Sequence, residues 1–460
     1  MSSRSKRRSP PPLRRRRRPG QGLVNAVRQF LTPAVWKQGH RYQRLLRQGA
    51  RWTLQPLVLT VLVLTWCAGD SLGERFETAK AFCCVSLAKR RRPGSSRVGF
   101  EKALAKLPTA ALRALAGGVR QRLQQLCGRR WLVAGWVPLG VDGSRLECPR
   151  TAELEQRLPL AARAGAAPTL WLTALVHLGQ GLLWAWRLGP GTACERSHLV
   201  AMLPTLPAAA LIVADAGFNG FFQAQAVLRA GGSFLIRMSA KVRFRTDGPV
   251  DANRWRDGPV WYWPQEAEQA GELPLRVRLI RIRGRQPNRD VWLLTDVLDK
   301  QRLPKRLAAQ FYRWRWESEG LFRTYKRTLA KVKLRSRTVR LVHREAEASL
   351  LATQVLLALG NRGARSALRA GNPELPQGCS PRKVLLTLRE ELAECVAARR
   401  RPRLEKRLAA AQRERRSRRS AKSSREWPGR APHQPPKPPQ FLMFTEKQKA
   451  RILRLKQANK

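Results

Sequence analysis

Between residues 131 and 295 the apolar positions fall in short runs broken by turn residues, whereas on either side they recur at helical spacing. Residues 131–141 are predicted to form a strand running into Asp142-Gly143. Residues 170–177 and 182–188 read as two further strands joined by Gly179-Gln180-Gly181, a hairpin signal. A short helix over 194–203 follows. The run Leu211-Ile212-Val213-Ala214 then reads as a buried strand ending on Asp215. Residues 221–229 suit a helix and 233–238 a strand. Residues 241–290 are rich in Gly, Pro and Asp turns with short alternating runs, the pattern of a β-rich insertion. Residues 291–295 return to strand, Pro304 opens a long helix to about Leu329, and 346–359 form a second, strongly apolar helix.

The organisation predicted along the chain has six parts. Residues 1–21 are a basic tail, 22–130 a helical region, and 131–240 with 291–345 an α/β core interrupted by the insertion over 241–290. Residues 346–398 supply further helices, and 399–460 a second basic, Pro- and Arg-rich tail. Within the helical region, residues 100–115 read as one helix with Leu104, Leu107, Ala111, Leu112 and Leu115 on one face. The most apolar stretch, residues 54–68, is shorter than the roughly 20 residues a membrane span needs and reads as a buried helix.

Charge changes the picture more than hydropathy does. The formal net charge is +59, and more than half of it remains on the middle of the chain once both tails are set aside. Self-repulsion on that scale points to a polyanionic partner. Charge alone leaves membrane surface, RNA and DNA open. The eight cysteines form no Cys-x-x-Cys pair, and with five histidines there is no zinc-finger spacing, so structural thiols in a reduced, cytosolic setting are expected. No apolar stretch follows the basic start closely enough for a secretory signal.

Two acids, Asp142 and Asp215, sit at predicted strand ends, and a third, Glu319, lies on the long helix. At about 100° per residue, Tyr312, Arg315, Glu319 and Lys326 fall within about 60° of one another, away from the arc of Leu307, Phe311, Trp314, Leu321 and Phe322. A solvated face with ordinary ion pairs would give the same pattern. Glu317 projects to the far side of the helix. Asp296 and Asp299 suit turns or caps, Asp70, Glu74 and Glu77 suit solvent, and His177 and His198 suit structural roles. Converging carboxylates repel one another unless cations bind between them; two hard divalent ions there can activate water and stabilise the leaving oxygen of a phosphodiester.

The spacing Tyr312, Arg315, Glu319, Lys326 resembles the signature of the IS-four (Tn-five-like) group of DDE transposases. Val141-Asp142-Gly143-Ser144 is similar to the group's first-Asp motif, where Thr is commoner than Ser144, and Asp215-Ala216-Gly217-Phe218 to its second. The insertion falls between the second Asp and the Glu, as in that group, and Leu334-Arg335-Ser336-Arg337 follows the helix. The resemblance covers roughly residues 131–359. It implies an RNase H-like core, a mixed five-stranded sheet with flanking helices, that nicks DNA and transfers strands. Asp142, Asp215 and Glu319 would be the catalytic residues and would ligate two Mg²⁺ or Mn²⁺ ions. Arg315 and Lys326 would contact DNA phosphates, and Tyr312 would position a phosphate or pack beside the site. Trp255, Trp261 and Trp263 are candidates to hold an unstacked base, although such an insertion also needs core aromatics. The implied partner is double-stranded DNA, as terminal inverted repeats and target. The helical region would recognise the repeats, synapsis would require a homodimer, and the setting would be a bacterial cytoplasm, at the nucleoid. The rival readings are an RNase H-like DNA-binding protein without catalysis and a stand-alone nuclease.

Overall fold

The computed structural model describes residues 21–46, 50–69, 71–159, 166–239, 242–284, 290–367, 378–397, 404–409 and 438–458. The helical region contains α1 (Gln21–Phe30), α2 (Pro33–His40), α3 (Leu54–Trp66), α4 (Leu72–Ser86), α5 (Arg97–Lys106) and α6 (Thr109–Cys127). The single helix expected over 100–115 is divided, because the residue before Pro108 is disfavoured in helical geometry and Leu107 turns extended. Its apolar face survives the break: Leu104, Leu107, Ala111, Leu112 and Leu115 are all buried. The most apolar stretch forms α3, which is enclosed by protein, and Trp66 Nε1 donates to the Ala352 carbonyl at 3.0 Å. No helix among the described residues is long and apolar enough to cross a membrane.

The strands are β1 (Val137–Glu147), β2 (Thr169–His177), β3 (Leu182–Pro190), β4 (Ala210–Ala214), β5 (Ser233–Arg237), β6 (Arg243–Thr246), β7 (Asp257–Tyr262), β8 (Leu275–Ile282), β9 (Val291–Thr295) and β10 (Gln440–Met443). They form one sheet in the order β10-β6-β7-β8-β9-β5-β4-β1-β2-β3. β1 and β3 both run antiparallel to β2, while β4 is parallel to β1 and to β5. The expected sheet of five strands is therefore too small. β9 offers a second hydrogen-bonding edge, β8 pairs along it, and the insertion continues the sheet in place of leaving that edge open. The first strand also begins later than expected. Val133 and Trp136 bridge across a tight turn in which Ala134 and Gly135 have φ of 48° and 80°, so β1 starts at Val137 and runs on past Asp142.

Short helices α7 (Ala152–Arg157), α8 (Glu195–Met202), α9 (Phe221–Arg229) and α10 (Gln265–Gln269) connect the strands. The long helix opened by Pro304 is present in two pieces, α11 (Lys305–Trp314) and α12 (Trp316–Arg323), and ends in a π turn over Thr324–Thr328. The backbone tightens at Arg315, where Ser318 N bonds the Arg315 carbonyl, and loosens again where Leu329 N reaches the Thr324 carbonyl. After it come α13 (Val339–Ala367), α14 (Pro381–Ala397), α15 (Leu404–Ala409) and α16 (Glu446–Ala458).

The second tail, expected to lack a core through residue 460, includes α15 with buried Leu404 and Leu408, and strand and helix over 438–458. β10 pairs in parallel with β6, and Phe441 stacks 4.9 Å from Trp255 while Phe444 lies 6.3 Å from both Trp261 and Trp263. The insertion's aromatic face is thus completed from the end of the chain. All eight cysteines are free thiols.

The helix α13 joins the layers. Buried Leu350, Leu351, Val355 and Leu356 pack it against α3 and α6, and each such side chain contributes roughly 1.5–3 kcal/mol relative to exposure. Its fully buried Glu347 accepts from Arg113 of α6 (Nε at 2.8 Å, and Nη2) and from Trp186 Nε1 of β3 at 2.6 Å. Removing the carboxylate strands a guanidinium and an indole N–H. Glu347→Ala is expected to cost about 3–5 kcal/mol in urea denaturation. A cost under about 1 kcal/mol, the range of an exposed pair, would show that the three segments are held by apolar packing alone.

Candidate functional site

Successive side chains of a strand point to opposite faces, so neighbours fix where an acid points. On β4, Leu211 and Val213 pack with Ala308, Phe311 and Trp314 of α11, while Ile212 and Ala214 join the core on the other face. Asp215 continues the first set and faces α11. On β1, Leu139 and Val141 join the second core, which leaves Gly140 and Asp142 facing the helices. The two strands pair Leu139 with Ile212 and Gly140 with Val213. Carried forward two residues, that register sets Asp142 beside Asp215. Two carboxylates therefore share one face of adjacent strands.

What surrounds them follows from their mutual repulsion. Gly143 N donates to Asp142 Oδ1 at 2.8 Å, and Ala216 N donates to Asp215 Oδ1 at 2.7 Å as Asp215 caps a single helical turn. The Tyr312 hydroxyl donates to Asp215 Oδ1 at 3.4 Å. Arg315 Nη2 lies 3.7 Å from Asp215 Oδ2, and Arg237 Nη1, from the end of β5, lies 3.8 Å from Oδ1. Arg315 is only 6% exposed, with its guanidinium over the Tyr312 and Trp316 rings at 5.6 and 5.4 Å; among the described residues no hydrogen-bond acceptor meets its Nε. Burial pushes the Asp142 carboxyl up from the ordinary range. The Asp215 charge adds to that push, while the Gly143 N–H and Arg315 oppose it. Burial likewise raises the Tyr312 hydroxyl, helped by Asp215.

The close approach of α12 to β1 depends on Gly140. A Cβ there would come 2.8 Å from Ser318 Oγ and 2.6 Å from Leu178 Cδ2. Glu319 is the next residue after Ser318, half-buried on a helix that packs across β1 and β2. Among the described residues, no three His, Cys, Asp or Glu groups converge closely enough to hold a metal ion. The donor chemistry of the Asp142–Asp215 pair, hard oxygens with charges already opposed by a buried guanidinium, fits a divalent cation. The third carboxylate does not complete that set in this arrangement.

Residues 140–354 match the transposase DDE domain family. The matched segment is a little under half of the chain and contains Asp142, Asp215, Tyr312, Arg315, Glu319 and Lys326. No curated protein sequence matches the chain to a significant degree. Six chains of solved structures resemble it. One, a piggyBac transposase synaptic complex with hairpin DNA solved by cryo-EM, aligns at 12% identity over 88% of each chain with a TM-score of 0.41.

Within the matched segment, the structure brings Asp142, Asp215, Tyr312 and Arg315 together and sets Lys326 apart. The single-stripe geometry does not survive the break at Arg315 and the π turn. Lys326 instead lies near Glu147 at the far end of β1, its ammonium pushed down by burial against the opposing pull of that carboxylate. The tryptophans are engaged in the fold: Trp263 is buried with its Nε1 on the Glu272 carbonyl, Trp255 bonds the Leu279 carbonyl, and Trp261 bonds Asp247. His177 is fully buried on the Trp131 carbonyl, and Asp296 accepts from Phe234 N.

Two neighbours of the pair were not foreseen. Arg237 is an isolated cation at a strand end and carries no motif. Glu195, first in α8 on the opposite face, reaches the pair because Gly143 has no side chain: a Cβ there would collide with Glu195 Oε1. Burial raises the Glu195 carboxyl, and Asp142 raises it further.

Because the folded-state pKa of Asp142 is raised, ionising it destabilises the metal-free fold. That cost is absent below the unfolded-state pKa and complete above the folded one. Asp142→Asn is therefore expected to raise the melting temperature at neutral pH in the presence of a chelator, with the gain vanishing in acid. An unchanged or lower melting temperature at neutral pH would contradict the crowding of charge at this site.

Proposed function

We propose that the chain is a DDE transposase that cuts DNA at the ends of a mobile element and transfers the strands. The observation that carries this is the placement of Asp142 and Asp215 side by side on adjacent parallel strands, beneath Arg315, inside a segment that matches the transposase DDE domain. The strand order β3-β2-β1-β4-β5, antiparallel on one side of β1 and parallel on the other, supports reading this half of the sheet as an RNase H-like core. The motif spacing supports placement in the IS-four group.

In this reading Asp142, Asp215 and Glu319 would hold two Mg²⁺ or Mn²⁺ ions. When bound, the ions would supply an activated water and a neutralised leaving oxygen. The chain's own residues do the rest. Arg315, lying over two rings and shielded from water, keeps the carboxylates together before substrate arrives. Tyr312 fixes the Asp215 rotamer through its hydroxyl. Arg237 steadies the same carboxylate from β5. The partner is double-stranded DNA, with two copies of the chain joining two ends in synapsis. A fold that binds DNA without cutting it is favoured by one feature: Glu319 does not complete a three-acid set.

Purified protein with Mg²⁺ or Mn²⁺ is expected to cleave duplexes carrying the element's ends. Asp142→Ala, Asp215→Ala and Glu319→Ala should each abolish cleavage and spare DNA binding. Arg315→Ala should lower the cleavage rate by about 10²–10³-fold, the effect of losing one preorganised donor, with a much smaller change in affinity. Normal cleavage by Glu319→Ala would refute the ligand assignment, and wild-type protein that binds but never cuts would leave the non-catalytic reading. In the DNA flanking the gene, imperfect inverted repeats bounded by short direct duplications are expected.

A further inference from the structure

The floor beneath α11 is shared between the core and the insertion. Side chains alternate faces along β8, so Arg278, Ile280 and Ile282 form one row. Ile280 and Ile282 pack in the same apolar cluster as Leu211 and Val213 of β4 and Phe311 and Trp314 of α11. Arg278 is the polar end of that row and is 1% exposed. Its Nε and Nη2 donate to the two carboxylate oxygens of Asp257 on β7, at 2.7 and 2.6 Å. Its Nη1 donates to the Leu303 carbonyl at 2.8 Å.

Leu303 stands immediately before Pro304, which caps α11 without a side-chain hydrogen bond. The ladder of the helix begins at the Pro304 carbonyl, which accepts from Ala308 N at 3.0 Å. The carbonyls of Arg302 and Leu303 lie ahead of that ladder. A buried carbonyl left without a donor is costly, and Leu303 is fully buried. Side chains meet both. Trp136 Nε1 donates to the Arg302 carbonyl at 3.1 Å, with the Arg302 guanidinium 4.5 Å over the indole, and Arg278 takes Leu303. The other end of α11 is tied to Asp215 by the Tyr312 hydroxyl at 3.4 Å and by Arg315 at 3.7 Å. A guanidinium–aspartate pair thus stands at each end of a helix about 15 Å long.

We propose that Arg278 is a positioning residue: through it the insertion fixes where α11 starts, and so where Tyr312 and Arg315 meet Asp215. That this is a cutting site rests on reading the chain as a transposase. A fully buried ion pair is weak grounds for stability, since apolar side chains of the same volume serve a fold as well. What they cannot do is hold a carbonyl. The planar guanidinium has donors in a rigid fork, so one side chain sets β7, β8 and the start of α11 at a fixed angle. Arg278 reaches the carboxylates of the site only through that helix. The consequence is kinetic, because a displacement of about 1 Å at a reacting group lowers a rate by about 10²-fold.

The test separates position from stability. In Arg278→Met, Asp257→Leu protein the buried pair is exchanged for apolar side chains of similar size, a change that commonly leaves a fold intact, while the Leu303 carbonyl loses its donor. Hydrogen exchange is read by mass spectrometry without DNA or metal. It is expected to speed about tenfold or more over residues 306–316 and to stay unchanged over α3 and α13. Unchanged exchange over 306–316 overturns the proposal, and so does an equal rise in α3 and α13, the mark of a merely structural pair. If circular dichroism shows the double variant unfolded, Arg278→Lys carries the test. A single ammonium keeps the charge on Asp257 without the fork that also reaches Leu303, and the same local rise is expected. Cleavage is the second readout. The variant is expected to lower its rate about tenfold or more with DNA affinity unchanged, but by less than about twofold in an Arg315→Ala background. Equal losses in both backgrounds overturn the proposal. Local loosening as expected in a protein that never cuts keeps Arg278 as the anchor of α11 and sinks the transposase reading.

Discussion

Asp142 and Asp215 stand beside each other because β1 and β4 are parallel neighbours in a register that makes Gly140 the partner of Val213. Two like charges on one face would push those strands apart if nothing opposed them. The surrounding groups are arranged as opposition: backbone N–H groups from Gly143 and Ala216, a hydroxyl from Tyr312, and guanidinium groups from Arg237 and Arg315. Arg315 is the costly member, since a buried cation is tolerable only where charge is waiting for it. It sits at the tight junction between α11 and α12. From there its guanidinium reaches Asp215, and Ser318 lies against Gly140.

The rest of the molecule holds this arrangement still. Phe311 and Trp314 fix α11 on the β4 face, and α13 is tied through Glu347 to Arg113 of the helical region and Trp186 of the sheet. The segments that meet at Glu347 lie far apart in the chain, so the helical region and the core are parts of one packed body. The insertion is bound in as well, because its strands extend the same sheet and its aromatic face is closed by Phe441 and Phe444. A net charge of +59 is compatible with such a body where cations stay at the surface or meet a carboxylate inside.

Much of this was legible where the local pattern and the tertiary environment agree. Residues 210–214 are apolar on every side, so the run announced a buried strand and placed Asp215 at its end. Pro304 marked a helix start because its fixed φ suits that position. Residues 54–66 were too short to span a membrane and lie enclosed by protein. Elsewhere local and distant forces diverged. Residues 131–136 have strand composition, but the turn at Ala134-Gly135 delays the strand. Helical arithmetic placed Tyr312 and Arg315 together and failed for Lys326, because it assumes an unbroken helix and the break at Arg315 and the π turn leave no mark in hydrophobic spacing. Glu195 and Arg237 carry no local signal, since each reaches the site only through sheet pairing or through the space left by Gly143. The strand at 440–443 was hidden by the proline and arginine around it, for its partner lies almost 200 residues away.

The central claim is that Asp142 and Asp215 form a place built for hard divalent cations. Anomalous diffraction from crystals soaked in Mn²⁺ tests it most directly, because it reports position independently of any cleavage assay. The expected result is a manganese peak within coordination distance of both carboxylates, lost in Asp142→Asn, Asp215→Asn protein. Manganese bound only elsewhere would contradict it.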